Sequence, residues 1–301
     1  MRIAMVGLGD IAQKAYLPVV ARHRAVSPIL CTRNTGVLQR LAGQYRVSET
    51  YAHYDQLLAA KPDAVMIHAS TESHYYLARA ALEQGIGVFV DKPISYQLAE
   101  AEALVELAKH SNTPLFCGFN RRYAPLYQAP LATAPIHLHY QKNRYNLPDD
   151  ARVFIYDDFI HVLDFVRQAA GVQQVAGLEL QVSAYTPQNK LGSVNVSFTG
   201  QGGRHFSAAM NRLSGQARER LEYSSLNESW QIDNVASGIH YRENQAFTLG
   251  FSDWDDTLYK RGFVDMFEAF VAMLQRGEAD APYLDGVLAS HQLCERVLQR
   301  L

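Results

Sequence analysis

The 301-residue chain has only three cysteines, Cys31, Cys117 and Cys294, far apart and odd in number. They suit neither a disulfide framework nor a paired-cysteine zinc site, and they point to a reducing, cytoplasmic setting. No apolar run approaches the roughly 20 residues that a membrane helix requires. The apolar stretch at the N-terminus falls short of the about 7–15 residues of a secretory signal. An excess of one charge is missing as well, since 28 Lys and Arg face 30 Asp and Glu. The formal net charge of −2 leaves no basic stripe for nucleic acid and no acidic tail. Internal repeats and low-complexity segments are absent. What remains is 48% hydrophobic, too apolar for disorder, and long enough at about 150 residues per domain for two full cores.

The first 120 residues alternate two patterns. Short, continuously apolar runs at 3–6, 28–31, 64–67, 88–90 and 115–117, with a brief one at 49–51, read as buried strands. Helical stretches at 11–22, 35–44, 55–60, 74–84 and 96–109 separate them, with Pro18 set to kink the first and Gly85 to stop the fourth. Such alternation predicts a doubly wound parallel sheet. Near residue 124 the pattern changes. Pro125, Pro130 and Pro135 exclude a long regular helix and mark the boundary between domains 1–122 and 123–301. Beyond them lie an alternating run at 136–141 and a helix at about 157–170. Strand-like runs follow at 178–185, 193–198, 205–210, 218–223, 229–232 and 245–249. Closing helices are expected at 257–275 and 284–301, free to pack back on the first domain. The second domain therefore reads as an open, mainly antiparallel sheet with helices on one face.

Gly7-Leu8-Gly9-Asp10-Ile11-Ala12 follows the first strand and opens a helix. Gly7 suits the tight turn and Gly9 the approach of backbone to a pyrophosphate. Ala12 lets helix and strand pack closely, while the N–H groups from Asp10 and Ile11 onward face phosphate. A dinucleotide is the expected ligand. At the end of the second strand an NAD site would carry Asp or Glu for the ribose 2′-hydroxyl. Here stands Cys31-Thr32-Arg33-Asn34, in which Thr32 and Arg33 suit a 2′-phosphate. NADP is favoured and NAD remains admissible; an ordinary exposed arginine is the plain alternative for Arg33.

Val88-Phe89-Val90-Asp91-Lys92-Pro93, taken with the glycine turn, resembles the Gfo/Idh/MocA oxidoreductases, whose hallmark here is Glu-Lys-Pro. The resemblance extends through Tyr54-Asp55-Gln56-Leu57-Leu58, the loop 69–74, Gly118-Phe119-Asn120-Arg121-Arg122-Tyr123, and Asp157-x-x-x-His161-x-x-Asp164. It is greatest to the MviM-like "virulence factor" branch, which shares Asp-Lys-Pro and the doubled aspartate. The resemblance implies a Rossmann domain, cofactor contacts from Ala69, Ser70, His74, Asp91, Lys92 and Asn120, and catalysis by Lys92 and His161. Three departures stand out. Asp91 replaces Glu, Ala69-Ser70 replaces Thr-Pro, and Phe159 replaces the glycine of Asp-x-Gly-x-His, which reads as substrate tuning.

Asp157, His161 and Asp164, at i, i+4 and i+7, would share one face of a regular helix. Asp157 would orient His161 as the base that removes a hydroxyl proton, with Lys92 stabilising charge on that oxygen. Asp158 reads as a helix-dipole partner. No metal is expected. Arg122, Lys142, Arg144 and Phe159 are the substrate candidates; Lys142 and Arg144 alternate onto one face and would suit an acidic or phosphorylated sugar, although a solvated strand end explains them nearly as well. The expected activity is hydride transfer between NAD(P) and a sugar, cyclitol or related polyhydroxy compound. A nicotinamide-dependent glycosidase or eliminase without net redox, or a non-catalytic cofactor sensor, are the alternatives. The resemblance also implies a homodimer or homotetramer through the second domain's sheet, with no nucleic-acid or membrane partner.

Overall fold

The run Ile-Ala-Met-Val in strand Arg2–Val6 (β1) offers no polar face to water. In the computed structural model, which describes residues 1–301, β1 lies inside a six-stranded parallel sheet. The others are Ser27–Cys31 (β2), Glu49–Tyr51 (β3), Ala64–Ile67 (β4), Gly87–Val90 (β5) and Leu115–Cys117 (β6), in the order β3-β2-β1-β4-β5-β6. Every residue of β4 and β5 is buried, as a sheet covered on both faces demands. Strand order reverses between β1 and β4. A doubly wound sheet binds its ligand at the carboxyl ends beside that reversal.

The crossovers are helices Leu17–Val20 (α1), Thr35–Tyr45 (α2), Tyr54–Ala59 (α3), Thr71–Leu82 (α4) and Leu98–His110 (α5). The expected kink at Pro18 takes the form of a π turn over Ala12–Tyr16, closed by the Leu17 N–H donating to the Ala12 carbonyl. Pro18 has no N–H for the carbonyl of Lys14, so the ladder slips by one residue. This unit comprises residues 1–118 and 263–285. Its later segment includes the helix Phe263–Arg276 (α10), whose Phe270 packs edge-on against Phe89 of β5 at 5.4 Å.

The second unit comprises 119–262 and 286–301. Its strands are His137–Tyr145 (β7), Gln181–Tyr185 (β8), Ser193–Thr199 (β9), His205–Ser214 (β10), Arg218–Ser225 (β11), Glu228–Asp233 (β12), Ser237–Arg242 (β13) and Gln245–Leu249 (β14). They form one sheet ordered β14-β13-β12-β11-β7-β10-β9-β8, antiparallel except where β7 meets β10. Alternate β7 residues Leu138, Tyr140 and Lys142 are buried on the face packed by the helix Ile160–Ala169 (α8). Strand β13 escapes the sequence reading because Ser237-Gly238 opens it without an apolar signal.

Two expectations about helices are corrected, and a short helix forms among the prolines. A seven-residue helix, Pro125–Leu131 (α6), forms despite Pro130. The rod expected from 157 begins earlier, at Ala151–Phe154 (α7), and passes through a π turn, Ile155–Phe159, before α8. The closing helix expected over 257–275 is broken into Thr257–Lys260 (α9) and α10 by Gly262, whose φ of +79° and press against the Asn120 carbonyl admit no side chain. The last helix is Ala281–Leu298 (α11).

Candidate active site

At the carboxyl ends of β1, β2 and β4 a cleft of about 880 Å³ opens, lined by Gly7, Gly9, Thr32, Arg33, Ala69 and Ser70 among others. Gly7 has φ +85°, and a Cβ there would lie 2.6 Å from the Ala69 nitrogen, so β1 and the loop after β4 can approach only through glycine. A Cβ on Gly9 would meet nothing within 4 Å. That open cradle beneath an incoming helix is what a pyrophosphate requires. Asp10 and Ile11 are exposed at the helix opening, Asp10 paired with Lys14 at 2.7 Å, and Ala12 is buried against the sheet. The sequence reading of this turn and the local geometry fit a dinucleotide.

At the β2 end, Asn34 caps α2 by accepting from the Val37 N–H at 3.0 Å. Thr32 and exposed Arg33 stand beside that cap, and Glu72 of α4 is the only carboxylate lining the cleft. His74, expected as a cofactor contact, is instead buried with its ring nitrogens 2.8 Å from the Pro93 carbonyl and 3.1 Å from that of Ala69. It fixes the two loops that flank the site. Sequence reasoning missed Tyr16 and His68. The Tyr16 hydroxyl donates to Asp91 Oδ1 at 2.9 Å, and the same oxygen accepts from the Lys92 N–H at 2.9 Å. Burial raises the Asp91 carboxyl above its ordinary range and the Tyr16 phenol well above its own. His68 lies against Tyr16 with ring centroids 4.1 Å apart and the planes tilted by 30°, and burial drives its imidazole down to about 3, so it is neutral. A histidine at the tip of an all-apolar strand was the available signal.

In the second unit, Asp157 lies in the π turn while His161 and Asp164 lie in α8. The uniform spacing expected from Asp157 to Asp164 is therefore interrupted. Asp164 is fully enclosed and takes both Arg122 nitrogens, at 2.8 and 2.5 Å, plus the Ser290 hydroxyl at 2.6 Å. Burial opposes its ionisation, but Arg122 outweighs it and holds the carboxyl low. Arg122 is thus spent on packing, not offered to a substrate. Phe159 is likewise wholly buried and presents no surface to a substrate. Asn120, expected at the cofactor, is buried and donates to the Arg261 carbonyl at 2.8 Å.

Asp158 is not a dipole partner. It sits well inside the rod and receives Lys142 at 2.5 Å, Arg144 at 2.8 Å and Arg212 at 3.4 Å. Against the cost of burial, Lys142 and Arg144 hold its carboxyl far below the usual range. Lys142, enclosed and near Arg121 and Arg144, falls to about 8. Beside it in register, Glu219 of β11 is clasped by Arg121 through two 2.7 Å bonds and by the Tyr140 hydroxyl.

Residues 1–119 match the model of the oxidoreductase family with an NAD-binding Rossmann fold, Gfo/Idh/MocA. A Gfo/Idh/MocA family oxidoreductase from Vibrio cholerae is 38% identical, covers 100% of this chain and 99% of its own, and superimposes with a TM-score of 0.93. This chain belongs to the Gfo/Idh/MocA family of oxidoreductases. The MviM dehydrogenase of Clostridium difficile superimposes at a TM-score of 0.91 with 25% identity, over 100% of this chain and 99% of that one. A curated relative, the UDP-N-acetylglucosamine 3-dehydrogenase of Acidithiobacillus ferrooxidans, is 24% identical over 256 residues, 83% of this chain and 79% of that protein. No helix is long and apolar enough to cross a membrane, and no group of three or more metal-ligating side chains is assembled.

Proposed function

We propose that this chain is an NADP-preferring oxidoreductase that oxidises or reduces a CH–OH group of a sugar, cyclitol or related polyhydroxy compound. The observation that carries the cofactor preference is the β2 end of the cleft, where Thr32 and Arg33 stand in place of a ribose-binding carboxylate. The three free, buried cysteines fit a reducing cytoplasm. The relative that dehydrogenates a nucleotide sugar supports a sugar-like substrate.

Bound NADP⁺ supplies the hydride acceptor. Gly7 and Gly9, with the turn through Asp10, Ile11 and Ala12, hold its pyrophosphate, while Thr32 and Arg33 take the 2′-phosphate. Ala69 and Ser70 supply backbone along its flank. Asp91, tied to Tyr16, fixes the backbone from which Lys92 donates a hydrogen bond to the reacting oxygen. His161 removes the hydroxyl proton, its ring oriented by Asp157, and returns that proton in reduction. The open face of the second unit's sheet, with exposed His137, His205 and Glu222, serves assembly into a dimer or tetramer.

The test is a titration of the protein's fluorescence with NADP⁺ and NAD⁺, followed by a screen of polyols and sugar acids for cofactor reduction. Tighter binding of NADP⁺, reduced about tenfold by Arg33→Ala, is expected. Equal affinity for the two cofactors removes the preference. Isotope exchange at a sugar carbon without net cofactor reduction would replace the redox reading with lyase or glycosidase chemistry.

A further inference from the structure

The helix-facing side of β7 collects more positive charge than its carboxylates neutralise. Arg121, Lys142, Arg144, Arg212 and Arg261 gather there, against Asp158, Glu219 and, beyond Arg212, Asp149 at 3.6 Å. Even with neighbouring Asp157 counted, one cation is left over. The members differ in what they still have to give. Arg121 is bidentate on Glu219, and Lys142 and Arg212 are buried. Arg144 uses Nε and one terminal nitrogen on Asp158, and its side chain is 41% exposed, leaving the other terminal nitrogen open.

Arg261 differs from them all. No carboxylate or other acceptor hydrogen-bonds its guanidinium, and the residue as a whole is exposed. Its backbone, by contrast, is nailed down. Its carbonyl accepts from buried Asn120, its N–H donates to Thr257, and the next residue is the left-handed Gly262 wedged against the Asn120 carbonyl. A rigid stem with a free cationic head, set near Arg121 and Arg144, is unfavourable while it has no counter-ion. Burial and those two arginines outweigh the pull of Glu219 and lower its affinity for its proton. A ligand anion would relieve that repulsion, and it would meet the open N–H groups of two arginines, the side chain whose fork suits carboxylate and phosphate.

We infer that the substrate carries an anionic group, carboxylate or phosphate, and that Arg261 and Arg144 receive it with Lys142 behind them. This rests on the polyhydroxy-substrate reading above and narrows its class. Asn120 is then a positioning residue that aims Arg261.

The experiment uses full-length protein saturated with NADP⁺ and compares glucose with glucuronate and glucose 6-phosphate by calorimetric titration. The arms separate the two anions. Expected are tighter binding of at least one anionic probe than of glucose, and a drop of about tenfold or more in that binding for Arg261→Gln. Arg144→Gln should act in the same direction, and both effects should shrink with added salt. Arg261→Gln removes an unpartnered charge from beside two arginines, so it should not lower the melting midpoint and should leave NADP⁺ affinity unchanged. Equal binding of glucose and both anions overturns the inference, as does an anion advantage that survives the Arg261→Gln/Arg144→Gln double variant. Failure of NADP⁺ to bind breaks the cofactor reading instead, and it is seen before any sugar is added.

Discussion

The two units of this chain hold their interiors in opposite ways. The parallel-sheet unit buries polar side chains that are neutral or hydrogen-bonded to backbone, namely His68, His74, Ser95 and Thr113. The antiparallel unit buries eight charged ones: Arg121, Arg122, Lys142, Asp158, Asp164, Arg167, Arg212 and Glu219. A cofactor common to many enzymes is gripped largely through backbone and glycine, which needs few buried charges. A particular substrate is told apart by side chains, and side chains held rigidly by buried ion pairs are costly to build and hard to alter. The contrast fits the division of labour proposed above, with cofactor in one unit and substrate in the other. It also says which unit is more sensitive to the loss of one carboxylate.

The largest expected effect is at Asp164. Asp164→Ala leaves Arg122 and Arg167 buried without their counter-charge, and should lower unfolding free energy by about 3–5 kcal/mol. Urea denaturation reads this, and a loss under 1 kcal/mol would show that the charged interior is not held by its pairs. In the other unit Gly7→Ala forces a side chain into a φ of +85° against the Ala69 backbone, costing roughly 1–3 kcal/mol. Its sharper readout is NADP⁺ affinity, which should fall by more than the stability change implies.

The acid limb comes next. His68 is depressed to about 3 and His291 to about 4, both by burial, so below about pH 6.5 the unfolded chain takes up protons that the folded one refuses. Stability therefore falls as pH falls through that range, with a contribution from each unit. Glu219, whose burial is outweighed by Arg121 so that it titrates near 2, adds a further loss as pH drops below about 4.5. Denaturation midpoints measured from pH 7 to pH 3 check the sign. Introducing His68→Phe should flatten the upper part of the slope while leaving the Glu219 part intact. Smallest is Lys142→Met: an apolar side chain of similar length replaces a buried cation while Asp158 keeps Arg144 and Arg212, so stability should change by only about 1 kcal/mol, while binding of the anionic probes weakens.

The difference between the units also explains what could be read without coordinates. The glycine turn, the buried strands and Asp91-Lys92-Pro93 are legible because each is a contiguous segment whose neighbours in space are its neighbours in sequence. The role of Asp158 is not, since its cations come from other elements, β7 and β10, between 14 and 54 residues away. The same holds for Arg122, whose partner Asp164 is 42 residues on and turned what looked like a substrate contact into packing. The π turn at 155–159 interrupts a spacing that helical periodicity alone would have carried straight through. Arg261 carries no signal in the sequence. A lone arginine before a glycine gives no hint that Asn120, 141 positions earlier, pins its backbone.

The parallel pairing of β7 with β10 bears on how the molecule comes into being. Strands β8 to β10 and β11 to β14 are two chains of local hairpins that can each close early. Strand β7 has no local partner: both its neighbours lie more than 50 residues downstream. During synthesis it must wait as an open edge until β11 has emerged, because long-range pairing is slow and unpaired edges are adhesive. Lys142 and Arg144 ride on that late strand. The end of the sheet proposed above to receive the substrate thus cannot form until β11 is made, and a nascent chain arrested before about Ser225 would present it unfinished to whatever chaperone stands by.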